Sequence, residues 1–116
     1  MGGPMAFRTA VAVSDRVGAV ASFHGGGLVR DMPNSPHLQA AKTKARFLVA
    51  IAANDDKRAP KDKDVLKETF AAANLSAEIE VYADAAHGWC PPDSGVYNET
   101  QAEKAWSRLL ELYSKL

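Results

Sequence analysis

The chain has 116 residues, 47% of them hydrophobic and 24% charged, and its fourteen basic and fourteen acidic side chains cancel. This is ordinary composition for one globular domain spanning 1–116. The neutral balance excludes the excess positive field that draws nucleic acid or an anionic membrane surface, and leaves a small molecule or a protein as the expected partner. The one cysteine, Cys90, cannot form an internal disulfide, which fits a reducing compartment. Arg8, Asp15 and Arg16 interrupt the apolar runs near the N-terminus, so neither a secretory signal nor a stretch of transmembrane length is read. A soluble, cytoplasmic chain is expected.

Gly2, Gly3 and Pro4 lead into Met5, Phe7, Ala10 and Val11, an apolar spacing that predicts a helix with Pro4 in its first turn. A helix starting so early suggests that something upstream is missing. Val17 to Phe23 is small or apolar almost throughout and reads as a strand buried on both faces, ended by His24-Gly25-Gly26-Gly27. Pro33 and Pro36 limit the next stretch to a short helix over His37 to Ala41. Arg46 to Ala53 is the most continuous apolar run and reads as a central strand ending at Asn54-Asp55-Asp56. Asp55 to Asp64 reads as a solvated loop, passing into a helix with Val65, Leu66, Phe70 and Ala73 on its buried stripe and Asn74 as its stop.

Ala77 to Tyr82 alternates, with Ile79 and Val81 one way and Glu78 and Glu80 the other, the period of a half-buried strand. Asn98 with Gln101 forms a capping box, and Ala102, Ala105, Trp106, Leu109, Leu110, Tyr113 and Leu116 make a helical stripe after it. The order of elements predicts an α/β fold in which right-handed crossovers give a three-stranded parallel sheet with helices on both faces.

His87 follows the last strand, where parallel sheets place their binding crevices. Asp55 or Asp56 ends the neighbouring strand, so a carboxylate and an imidazole meet at one sheet edge, the orienting half of a nucleophile, base and acid triad. Cys90 is three residues from His87 and reads as a small buried hydrophobe in place of a nucleophile. A zinc site on His87 and Cys90 lacks two ligands, with His24 and Asp84 as the remaining options, so no metal and no cofactor is expected. His24 is a candidate for substrate contact, Trp89 is either a pocket wall or an aromatic covering apolar surface, and His37 reads as surface.

The run from Asp55 to Pro60, the His87-Gly88-Trp89 loop and the final helix around Trp106 resemble the C-terminal part of the dienelactone hydrolase family, which has the α/β-hydrolase fold. The resemblance covers essentially the whole chain. It implies Asp56 and His87 as the acid and base of a Cys/Ser-His-Asp triad, Asp56 matching the family's spacing before Pro60 better than Asp55. Family members carry the nucleophile in Gly-x-Cys-x-Gly-Gly, and Met1-Gly2-Gly3 resemble its last three positions. The nucleophile would then immediately precede Met1, and Met1's amine would stand where the elbow's oxyanion donor lies.

The resemblance implies ester or lactone hydrolysis by a completed protein and no hydrolysis by this stretch alone. Relatives grip a substrate carboxylate with an arginine about four residues after the histidine, where this sequence has Pro91, which leaves the substrate open among esters and lactones. The first strand would expose an apolar edge, from which a homo-oligomer is expected, or, in a non-catalytic reading, a half-domain that self-associates or binds a partner through that edge.

Overall fold

A computed structural model of the chain describes residues 2–116. The expectation placed on Met1 lies outside the described residues. The elements are α1 (Gly2–Ala12), β1 (Ala19–Phe23), α2 (Pro36–Ala40), β2 (Arg46–Ala52), α3 (Ala53–Arg58), α4 (Asp62–Ala72), β3 (Ala77–Tyr82) and α5 (Glu99–Ser114). The three strands are parallel in the order β1-β2-β3. The α/β architecture read from the sequence is therefore the one observed.

β2 lies in the middle and is the strand buried on both faces; β1, expected to be buried on both faces, is fully buried only on one, at Val20 and Ser22, because it lies at the sheet edge. Alternation along the strand sends Phe47 and Val49 to one side, where Phe7 and Ala10 of α1 and Leu66 and Phe70 of α4 complete a core. The Phe47 ring stacks on Phe70 at 4.6 Å between centroids and meets the edge of Phe7 at 5.3 Å, so one aromatic of the central strand ties two helices together. Ala50 and Ala52 face the other way, into a second core with Tyr82, Ala85, Trp89 and Ala105 of α5. The small alanines let α5 approach β2 closely. The glutamates of β3 turn toward α5, where Glu78 pairs with Arg108 and Glu80 with Lys104. Pairs this exposed add little stability but fix the azimuth of the helix.

Two boundaries depart from expectation in ways that bear on function. Asp55 to Asp64 is no solvated loop, because α3 leaves β2 without a break and α4 starts at Asp62. Asp55 and Asp56 sit in the first turn of α3 and Lys57 and Arg58 in its last, charges that match the helix dipole at both ends. No residue of α3 is fully buried, so it gives no apolar period to read.

In α5 the Asn98 side chain accepts from the Gln101 N–H at 3.1 Å, as the capping pattern predicts. The apolar stripe is only partly covered. Ala105 and Leu112 are buried, while Trp106, Leu110, Tyr113 and Leu116 are exposed. Three strands are too narrow to cover the full arc of that face. Asn74 does stop α4, in the left-handed region at φ 57°.

Candidate active site

The carboxyl ends of β2 and β3 are tied by two contacts before any titratable group is considered. The Ala53 N–H donates to the Ala85 carbonyl at 2.8 Å, and the His87 N–H donates to Asn54 Oδ1 at 2.9 Å. Together they hold the His87 loop against the first turn of α3. His87 Nδ1 then lies 2.7 Å from Asp55 Oδ2. Asp55 is largely shielded and the His87 ring is half exposed, so one end of the imidazole is anchored and the other faces outward.

A carboxylate on Nδ1 keeps the proton of the neutral ring there and leaves Nε2 as the free lone pair, the arrangement of a general base. Gly88, at φ 94°, turns the chain sharply behind the histidine.

The choice between the two aspartates goes against the expectation. Asp56 is 2.8 Å from Lys63 Nζ and helps close α3 onto α4. That hydrogen bond is the main cause raising the Lys63 pKa. Adjacent residues on a helix point about 100° apart, so α3 can aim one of the pair at His87 and must aim the other elsewhere. Spacing to Pro60, on which the resemblance implies Asp56, does not decide which carboxylate faces His87, because that depends on the helical turn of α3. Asn54 had no role in the sequence reading. Its only signal was a position at a strand exit, a common place for an Asn side chain to bond a loop amide.

His24 and His87 share an open cleft of about 310 Å³ lined with Gly2, Gly3, Ser22 and Phe23. The two rings are 5.7 Å apart between centroids. The Gly3 and Gly25 backbones close tightly on the buried Ser22 side chain, which brings the start of α1 to the exit of β1.

Trp89 does not line this cleft. It is fully buried, with His24, which lines the cleft, edge-on at 4.4 Å and Tyr82 at 5.3 Å. Its closeness to His87 in sequence hid a half-turn of loop that sends it into the core. Burial also pushes the Tyr82 hydroxyl up to about 12. Cys90 packs half-buried on the same core, and burial pushes its thiol up, which disfavours the thiolate.

His37, expected at the surface, is buried. Its Nδ1 is 2.6 Å from Ser35 Oγ, which also accepts from the Arg30 N–H at 2.8 Å, so the residue staples α2 to the loop after β1. Among the described residues no three metal-ligating side chains converge, and no helix is long and apolar enough to cross a membrane.

A parallel sheet carrying a carboxylate–imidazole pair on adjacent strand exits has the architecture of the α/β-hydrolase class. Residues 1–116 match the dienelactone hydrolase family along their whole length, and the chain belongs to that family.

Among curated proteins it is 29% identical over 83 residues to "Putative carboxymethylenebutenolidase" of Escherichia coli and, at the same identity, of Salmonella typhi; each match covers 72% of this chain and 31% of the relative. Among solved structures it superposes on "Crystal Structure of Putative Dienelactone Hydrolase from Klebsiella pneumoniae" with a TM-score of 0.81 at 24% identity, over 98% of this chain and 48% of that one. The chain thus spans about a third of the length of these curated relatives and about half of the solved neighbour.

Proposed function

We propose that Asp55 and His87 are the acid and base of an ester- or lactone-hydrolysing triad whose attacking Cys or Ser is supplied, next to Gly2 and Gly3, by sequence outside these 116 residues. The observation that carries this reading is the 2.7 Å contact between His87 Nδ1 and Asp55, at an imidazole that is half exposed and whose other nitrogen has no hydrogen-bond partner among the described residues. Membership of the dienelactone hydrolase family supports the reaction class.

In the mechanism, His87 Nε2 takes the proton of the nucleophile as it attacks the acyl carbon. Asp55 holds the tautomer and stabilises the imidazolium, which returns the proton to the leaving alkoxide, and water reverses the sequence to free the acid. An amide following the nucleophile would contribute to the oxyanion site, the role expected of residue 1 from the resemblance, and His24, which lines the cleft, would touch substrate. Trp89 acts by backing His24.

The test is to supply a polypeptide carrying the family's Gly-x-Cys elbow and its preceding strands, in trans or fused ahead of Gly2, and to follow p-nitrophenyl ester hydrolysis. Activity should appear and should be lost in His87→Ala. Equal rates in the two would end the assignment.

A second reading is favoured by two observations: among the described residues β1 pairs with β2 alone, and apolar residues of α5 lie uncovered. In that reading two copies join through their β1 edges, antiparallel about a two-fold axis, with Trp106 and Leu110 covered in the contact. Sedimentation velocity over a hundredfold concentration range tests it, and a monomer throughout would reject it.

A further inference from the structure

The loop that follows β1 borders a second opening, which shares no lining residue with the cleft of His24 and His87. It is an open cleft of about 560 Å³, lined by Arg8 of α1, Arg30 of the loop and Arg58 at the end of α3, together with Gly26 and Gly27. Three elements distant in sequence each bring an exposed arginine to one place. The chain carries as many acidic as basic side chains, so this convergence is no by-product of a basic composition. Like charges gathered around one opening repel one another, a cost that a bound anion removes.

Arg30 is held in place. Its Nε donates to the Gly27 carbonyl at 3.1 Å, and its backbone N–H donates to the buried Ser35 Oγ at 2.8 Å. Gly27 stands at φ 68°, and a Cβ there would fall 3.0 Å from Arg30 Nη2, so the glycine is what lets the guanidinium fold back over its own loop. The bond occupies Nε and leaves the paired Nη groups to a ligand. Arg58 is carried by α3, which Asp56 ties to α4 through Lys63. One guanidinium and the backbone of another are thus set before any ligand arrives, which lowers the entropy cost of binding.

The number of guanidinium groups selects the ligand. A carboxylate has two oxygens and is filled by one fork, whereas a phosphate monoester carries nearly two negative charges on three terminal oxygens and can take a fork from each arginine. Gly26, Gly27 and Arg58 also border a smaller pocket of about 120 Å³ that is walled by Leu28, Ile51 and Leu66. That volume suits a short aliphatic group, on the order of four carbons, attached to the phosphate. Asp55 and Asp62 border the smaller pocket too and disfavour a second anionic group in it, so the charge of the ligand belongs in the arginine cleft.

We propose that Arg8, Arg30 and Arg58 form a binding site for a small organic phosphate monoester, its phosphate on the three guanidinium groups and its uncharged alkyl group in the pocket of Leu28 and Leu66. The site does not depend on the hydrolase reading, and its test uses no hydrolysis.

In the 116-residue chain at about 0.15 M salt, where diffuse surface attraction is screened, titration with n-butyl phosphate should saturate with a Kd of about 1 mM or tighter. It should shift the side-chain Nε–Hε NMR signals of all three arginines and move the methyl signals of Leu28 and Leu66. Inorganic phosphate should shift the arginines, bind about threefold more weakly and leave the leucine methyls unmoved, and malonate, a dianion without the tetrahedral head, should bind at least about tenfold more weakly. Absence of saturation, or malonate binding as tightly as butyl phosphate, would overturn the proposal. Inorganic phosphate binding as tightly as butyl phosphate would overturn the assignment of an organic ligand.

Arg30→Lys and Arg58→Lys keep the charge and change exposed side chains, so the fold should persist by circular dichroism while butyl phosphate binding weakens about tenfold in each. Arg16→Lys, outside the cleft, should leave the affinity unchanged. An affinity that survives in both Arg30→Lys and Arg58→Lys would show diffuse surface charge in place of a built site and would refute the proposal.

Discussion

The glycines packed against Ser22 leave no room for a side chain, and this makes a quantitative prediction. A Cβ added at Gly25 would fall 2.1 Å from Ser22 Oγ and 3.4 Å from Ser22 Cβ, and one added at Gly3 would fall 2.7 Å from the same oxygen and 3.0 Å from the Gly25 Cα. Gly25→Ala therefore cannot be accommodated where Oγ sits. The oxygen must swing about χ1 or the loop must move away from α1, and overpacking of this kind costs about 1–3 kcal/mol.

Ser22 Oγ is buried with no hydrogen-bond partner among the described residues. Ser22→Ala should then be neutral or mildly stabilising, because it removes an unsatisfied hydroxyl from the interior. In the double variant the 2.1 Å clash is gone and only ordinary contact remains, so most of the loss should return, with a coupling of about 1–2 kcal/mol. Urea denaturation read by circular dichroism gives all four corners of the cycle, and a loss of about 2 kcal/mol would lower the midpoint by about 1 M. If Gly25→Ala keeps the wild-type midpoint, or if Ser22→Ala fails to rescue it, the three-way contact that brings α1 to the cleft is wrong.

Three further outcomes follow from the same geometry. In the completed enzyme Asp55→Asn should lower kcat by about a hundredfold or more, because the base loses its orienting partner, while Asp56→Asn should change it by less than about threefold; ester hydrolysis of the two variants decides between the aspartates. His37, neutral and hydrogen-bonded in the fold, has a pKa lowered first by burial, partly offset by its backbone bond to Leu28 and by the charge of Asp62. Its unfolded form takes up a proton near its ordinary value of about 6.5 while the folded form resists, so stability holds above that pH and falls as pH drops through it; His24 acts with the same sign. Denaturation midpoints measured from about pH 8 to 5 should show a shallower fall in His37→Gln. Finally, Trp106→Glu with Leu110→Glu lies on the uncovered face of α5, so it should change monomer stability by less than about 0.5 kcal/mol yet abolish any association seen in sedimentation.

The strands were legible because each carries its own period or composition: Phe47 to Ala52 is apolar on both faces and Ala77 to Tyr82 alternates, and these are local properties of a buried and a half-buried strand. The pairing of His87 with a carboxylate was legible too, since parallel neighbours bring their exits to one edge. Which carboxylate was not, because α3 buries none of its residues and so leaves no hydrophobic mark on the sequence, yet its helical turn decides where Asp55 and Asp56 point. For a related reason the sequence leaves Trp89 open between pocket wall and core aromatic and misses the burial of His37. Each sits on a loop whose path is set by cores it joins from outside, Trp89 by Tyr82 and Ala85, and His37 by Ser35 and Leu28. The α5 stripe shows the reverse: its periodicity was correct, but the width of sheet available to cover it is a property of the whole assembly that no window of sequence contains.

The two hydrogen bonds that lock the exits of β2 and β3 explain how the proposed acid–base pair would be preorganised within this chain. Ala53 to Ala85 is backbone to backbone, and His87 to Asn54 fixes the imidazole's own residue, so the position of His87 depends on sheet pairing inside the 116 residues. The Asp55–His87 contact adds to a geometry already set. A nucleophile brought to the start of α1 would meet a base whose tautomer and orientation cost nothing further to arrange, the condition under which general-base catalysis is most effective. By this argument Asn54→Ala, which leaves both titratable groups in place, should lower kcat of the completed enzyme by about tenfold while leaving KM near its original value. Loss of activity through KM alone would show that Asn54 serves the substrate and that His87 is held by something else.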